Sequence, residues 1–274
     1  FIMWATHNVK HNYWNYHKWG SDDSLLWTGT IDPADWPVIV KRVISQYFGR
    51  PNYTKIDGKP VFAIFSAELF IQSFGTVEAA RQAMEYMRRE TVAAGFPGLH
   101  YMMMSGGGSN PDRKHTERID RHLGLDPDSW AWYNMGGFDP DYIVHNENAA
   151  RMRSAWDERL DIPVFPTGAI GWDDTPRFPA KGINDVTHIN QSPEVFEKYL
   201  RQAKAYADSH AAQQPRFVFI NAWNEWVEGS YLLPDKRYGF GFLQAVQSVF
   251  APENAKMVKF DPDAYIGGNR LRYS

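Results

Sequence analysis

Two glutamates three positions apart, Glu225 and Glu228, lie in the run Asn221-Ala222-Trp223-Asn224-Glu225-Trp226-Val227-Glu228-Gly229. The apolar segment Phe217-Val218-Phe219-Ile220 leads directly into it. Cleavage of a glycosidic bond needs such a pair: one protonated carboxyl assists the leaving oxygen, and one carboxylate acts as base or nucleophile. On a continuing strand, positions three apart point to opposite faces. Gly229 lets the backbone turn once the strand ends, so that both acids face one pocket. A crowded aromatic setting holds one carboxyl neutral by desolvation while the other stays ionised. Taken as bare spacing, the pair fits solvated loop acids equally well; the tryptophans and asparagines around it favour the sugar chemistry.

The elements that would carry these residues follow a repeating pattern. Short apolar runs of strand type span 1–6, 60–65, 99–105, 129–133, 164–170 and 217–223, and helical spacing follows each at 33–48, 77–94, 113–123, 140–159, 193–209 and 242–249. Asp32-Pro33 and Ser192-Pro193 place a capping side chain before a proline at the first helical position. In the helix from Ser192 to Ser209, Phe196, Tyr199, Leu200, Ala203 and Tyr206 form one apolar stripe. Phe1-Ile2-Met3-Trp4-Ala5 reads as the middle of a buried strand, with no initiator Met or signal peptide before it, so N-terminal sequence is expected to be missing. Six βα units plus two lost ones make the eight of a (β/α)8 TIM barrel. We therefore expect residues 1–274 to form a single, N-terminally truncated catalytic domain. An open doubly wound sheet is the alternative. Against it, the glycine run Ser105-Gly106-Gly107-Gly108-Ser109-Asn110 lacks dinucleotide spacing and reads as a flexible loop.

In a barrel, function is built from loops after the strands. The first unit offers Trp4, His7 and Asn8; the fourth Trp132, Tyr133 and Asn134; the fifth Trp172, Asp173 and Asp174; the last Asn221, Trp223, Asn224 and Trp226 as well as the two acids. Asp174-Thr175-Pro176 is equally readable as a turn. His7, His11 and His17 match no established metal-ligand spacing, so no metal is expected, and His7 is expected to face substrate because it follows the strand directly. Basic and acidic residues number 29 and 32 and are interspersed, giving a net charge of -3 and no footprint for nucleic acid. The chain has no cysteine, which excludes disulfides and a cysteine nucleophile. No apolar stretch reaches membrane-spanning length, so membrane insertion is not expected.

The segment from Asn221 through Gly229, continued by Ser230-Tyr231-Leu232-Leu233-Pro234-Asp235 and Tyr238-Gly239, resembles the signature of WbsX-type proteins, relatives of glycoside hydrolase family 99. Lys55-Ile56-Asp57-Gly58-Lys59-Pro60-Val61-Phe62, Gly171-Trp172-Asp173-Asp174-Thr175-Pro176-Arg177 and Phe1-Ile2-Met3-Trp4-Ala5 agree in order, so the resemblance spans most of the chain. It implies a (β/α)8 barrel and a retaining, α-mannosidase-type glycoside hydrolase acting on an oligo- or polysaccharide, with no metal or cofactor. It further implies that Glu225 takes the proton of the substrate's 2-hydroxyl, giving a 1,2-anhydro sugar, and that Glu228 is the general acid and later the base for water. Tyr231 and Tyr238 join the substrate-binding residues on the same grounds. The chain departs from the pattern at Thr6-His7-Asn8-Val9 and at Asp174, so mannose at the reacting subsite is not implied. A glycosyltransferase of polysaccharide synthesis and a non-catalytic sugar-binding barrel are the alternatives, and the oligomeric state is open.

Overall fold

The computed structural model describes residues 1–14, 18, 20, 22–108, 113–135, 139–177 and 187–254. The chain divides into two compact units. The first comprises Phe1–Phe138, Asn148–Phe165 and Ala212–Pro215; the second comprises Asp139–Glu147, Pro166–Ala211 and Arg216–Ser274.

Twelve strands are described: β1 (Ile2–Trp4), β2 (Val9–Lys10), β3 (Leu25–Trp27), β4 (Lys55–Ile56), β5 (Lys59–Ile64), β6 (His100–Gly108), β7 (Ser129–Met135), β8 (Val164–Phe165), β9 (Thr167–Ala169), β10 (Phe219–Asn221), β11 (Asn224–Glu225) and β12 (Ser230–Tyr231). In the first unit β1, β5, β6, β7 and β8 form one parallel sheet in that order, with β4 antiparallel on β5. Helices intervene between these strands, so the protein is a mixed α/β structure around a mostly parallel sheet. The sheet is buried on both faces: Phe62, Tyr101, Met103, Trp130 and Val164 point into a core closed by Trp36, Val40, Phe70, Met84 and Met87 from the covering helices.

Helix starts obey the side-chain logic of the sequence. Asp32 accepts from the Ala34 N–H ahead of a 3₁₀ turn at Pro33–Asp35, and Ser192 accepts from the Val195 N–H at the head of Pro193–Ser209. Along Pro193–Ser209 the buried stripe is Phe196, Tyr199, Leu200, Ala203 and Ala207. Tyr206, expected in that stripe, instead stacks on His210 with centroids 4.1 Å apart; Ala207 lies four residues beyond Ala203 and holds the buried angle. The helix Ala67–Phe74, capped by Ser66, was not expected, although Ala67, Phe70 and Ile71 carry helical spacing and are buried.

Two expectations are corrected. The run 164–170 is two strands, because Pro166 supplies no N–H to a ladder: β8 pairs with β7, whereas β9 pairs in parallel with β10 in the second unit. The glycine run is not a loop at its start, since β6 continues through Gly108 by pairing Gly106 with Asn134 and Gly108 with Met135 after a register shift. Ser109 and Asn110 lie outside the described residues.

Candidate functional site

The second unit brings the two glutamates together by a tight hairpin. β11 pairs antiparallel with β12, Asn224 opposite Tyr231 and Glu225 opposite Ser230, and the connection is a 3₁₀ turn, Trp226–Glu228. Glu225, at the end of β11, and Glu228, at the end of the turn, both lie within 4 Å of one arginine, which puts their carboxylates on a common side. Gly229 closes the turn at φ 62°, and its N–H donates to the Trp226 carbonyl. A Cβ at Gly229 would lie 2.8 Å from the Asp173 Cβ and 2.9 Å from its backbone nitrogen, so glycine is required by both conformation and space. The hairpin is anchored at its base: the Ser230 hydroxyl, fully buried, donates to the Gly171 carbonyl, and the Asp173 N–H donates to the Glu228 carbonyl at 2.7 Å.

A single guanidinium spans the acids. Arg177 Nη1 donates to Glu228 Oε1 at 2.9 Å, and its Nη2 lies 3.9 Å from Glu225 Oε2. The Glu228 side chain is 14% exposed and that of Glu225 43%. Arg177 ends a turn in which its N–H donates to the Asp174 carbonyl. Asp173 braces this turn, one carboxylate oxygen accepting from the Thr175 N–H, the Thr175 hydroxyl and the Thr187 hydroxyl. Asp174-Thr175-Pro176 is a turn, and it carries Arg177 to the acids.

Aromatic faces flank the pair. Trp223 is 57% exposed and Trp226 45%, and Trp226 stacks on Tyr231 with centroids 4.1 Å apart. The Tyr231 hydroxyl donates to Asp235, and burial together with that carboxylate pushes its titration up to about 12. Asp235 also accepts from the Arg237 and Tyr238 N–H groups, fixing the loop behind the stack. Tyr238 donates its hydroxyl to the Gln191 carbonyl and packs edge-on against Phe242, which makes it a structural support. Asn224 is exposed on β11, and the half-buried Trp172 accepts at its carbonyl from the His188 N–H.

Asn221 ends β10 and is 3% exposed, yet neither its amide nitrogen nor its amide oxygen has a hydrogen-bond partner among the described residues. An unsatisfied buried amide costs about 1–3 kcal/mol per group, a cost that falls at the end of β10, three residues before β11 begins. Behind the Trp172 segment, His145 and His188 are buried with ring centroids 4.6 Å apart. Burial, and then His145, hold His188 down to about 3.

The first unit places its expected residues differently. Trp4 is half-buried at the end of β1, its buried indole N–H without a partner among the described residues, and His7 is exposed with its backbone against Gly29. Asn8 is committed elsewhere: its carbonyl oxygen accepts from the Gly29 N–H at 2.9 Å and the Thr28 hydroxyl at 3.4 Å, bracing the ribbon of β2 and β3. Trp132 is fully buried, between Trp130 and Trp156 at 5.5 Å each, and packs the core. The alternation of β7 explains this, because Trp130 and Trp132 share a face. Tyr133 and Asn134 continue β7, with side chains outside the described residues, as is His17. Among the described residues no three His, Asp or Glu side chains cluster to hold a metal.

Residues 1–246 match the family model described as "Glycosyltransferase WbsX". The chain belongs to the WbsX family. Two curated relatives, each named "Uncharacterized protein WxcX", come from two strains of Xanthomonas campestris pv. campestris. Each is 36% identical over 221 residues, which cover 77% of this chain and 30% of the relative. The chain thus spans about 30% of the length of the curated relatives it matches. Membership in a carbohydrate-active family agrees with the chemistry of the hairpin, and no described helix is long and apolar enough to cross a membrane. Arg177 is the site residue that sequence reasoning did not single out, although it closes the Gly171–Arg177 segment on which the resemblance rests.

Proposed function

We propose that this WbsX-family chain is a retaining glycoside hydrolase, and, with its relatives, a (β/α)8 barrel enzyme. The observation that carries the reading is the pair Glu225 and Glu228 under one guanidinium, beside exposed tryptophan faces. Glu225, the more exposed acid, takes the proton of a substrate hydroxyl adjacent to the anomeric carbon. That oxygen displaces the leaving group, to which Glu228 gives its proton; water then opens the anhydro sugar, giving its proton to Glu228 while Glu225 returns its proton to the ring-opened hydroxyl oxygen. Trp223 and Trp226 offer flat apolar faces to sugar rings, and the Asn221 amide supplies both a donor and an acceptor to a hydroxyl. Asp173 and Trp172 frame the same hairpin.

The family description favours a second reading, glycosyl transfer. A nucleotide-sugar donor carries a diphosphate, whose negative charge the Asp173, Glu225 and Glu228 carboxylates oppose with Arg177 already engaged by two of them. Digestion of a glycan panel with product analysis by mass spectrometry, alongside calorimetry with nucleotide sugars, separates the two. Shorter glycans with no nucleotide-sugar binding support hydrolysis; nucleotide-sugar binding with every glycan intact supports transfer.

A further inference from the structure

Arg177, like Arg88 with Glu85 and Asp128, meets two carboxylates at once, and in its case they are the two glutamates of the hairpin. Arg81 and Arg201 pair with glutamates on their own helices, Glu78 and Glu197, three and four residues away. Arg177 reaches across 51 residues of sequence to Glu228, is only 25% exposed, and is held by a turn whose own brace, Asp173, is hydrogen-bonded to the Glu228 backbone. Its planar fork meets one carboxylate at hydrogen-bond distance and a second at 3.9 Å.

We propose that Arg177 is the positioning residue of the acid pair, holding Glu225 and Glu228 on one side of the turn and following their negative charge as it moves. This rests on the assignment of the two glutamates as the reacting acids. In the first step a proton passes from the substrate hydroxyl to Glu225, and another passes from Glu228 to the leaving oxygen. The pair begins and ends with one proton and one negative charge, but the charge moves from Glu225 to Glu228. A cation within reach of both offsets the charge at either end without translation of the backbone. The charged groups facing the guanidinium among the described residues are these two carboxylates, with Asp173 behind its turn.

The test uses the full chain and whichever oligosaccharide the wild type cleaves. Arg177→Met is expected to lower kcat about 100-fold with KM changed less than about threefold, because the loss falls on placement and charge stabilisation. Arg177→Lys keeps a cation without the fork and is expected to fall between, and free guanidinium is expected to restore part of the Arg177→Met rate. Arg177→Met combined with Glu228→Gln is expected to be no slower than Glu228→Gln alone, since both act in one step. A kcat within twofold of wild type in both arginine variants, or multiplicative double-variant losses, would each overturn the proposal. Undiminished turnover in Glu225→Gln and Glu228→Gln overturns the hydrolase assignment instead, whatever Arg177 does; Arg177→Lys keeps the test available if Arg177→Met does not fold.

Discussion

Replacing Gly229 by alanine asks whether the hairpin that pairs the acids is held as described. Gly229 has φ 62°, where a side chain costs about 1–2 kcal/mol. The new Cβ also meets the Asp173 backbone nitrogen at 2.9 Å, and that nitrogen donates to the Glu228 carbonyl at 2.7 Å. Relieving the contact stretches or breaks this bond, which adds about 0.5–1.5 kcal/mol. The sum is a loss of about 1.5–3.5 kcal/mol, or roughly 3–14 °C in Tm for a chain of this size. Gly75 supplies the control: it has φ 84° but nothing within 4 Å of where a Cβ would sit, so Gly75→Ala carries the backbone cost alone. Urea midpoints followed by near-ultraviolet circular dichroism measure both variants. If Gly229→Ala loses less than about 1 kcal/mol, the close approach of Asp173 to the hairpin is wrong, and the account of how Glu228 is placed fails with it.

Other consequences are separable. His188 is held near 3 against an ordinary 6.5, so its neutral form stabilises the fold fully above pH 6.5, and this stability is lost as pH falls from 6.5 toward 3. One such group accounts for at most about 1.4 kcal/mol per pH unit; His188→Gln should flatten the acid side of a urea-midpoint profile, and parallel profiles would argue against the buried histidine as its source. Trp226→Ala should raise KM with little change in kcat, since stacking on a sugar holds ground and transition states alike; an unchanged KM would remove Trp226 from the binding surface. Trp132→Phe should lower stability by about 1–3 kcal/mol through lost packing and leave KM alone; a raised KM with unchanged stability would return Trp132 to the binding residues.

The readable part of this chain was its periodicity and its punctuation. The helix Pro193–Ser209 is bounded where Ser192-Pro193 predicts, and β5 and β7 begin within one residue of the expected starts. The acid pair was readable as residue types and spacing, but the guanidinium that both acids meet was not: Arg177 lies 2.9 Å from Glu228 and 3.9 Å from Glu225. Pro166 carried a legible signal for splitting the run 164–170, because it cannot donate to a ladder. Asn8 and Trp132 show the limit of reading function from position after a strand. Whether an amide turns to a neighbouring loop N–H, or an indole to a tryptophan stack, depends on partners distant in sequence, Gly29 and Trp156. Arg177 was hidden for the same reason, its partners lying beyond a turn and a further helix.

The most direct test of the central claim is turnover of a wild-type-cleaved glycan by Glu225→Gln and Glu228→Gln, with the anomer of the first product followed by proton NMR. The account predicts retention in the wild type and loss of about 100-fold or more in kcat for each variant, with the fold unchanged. Full turnover by both variants would contradict it.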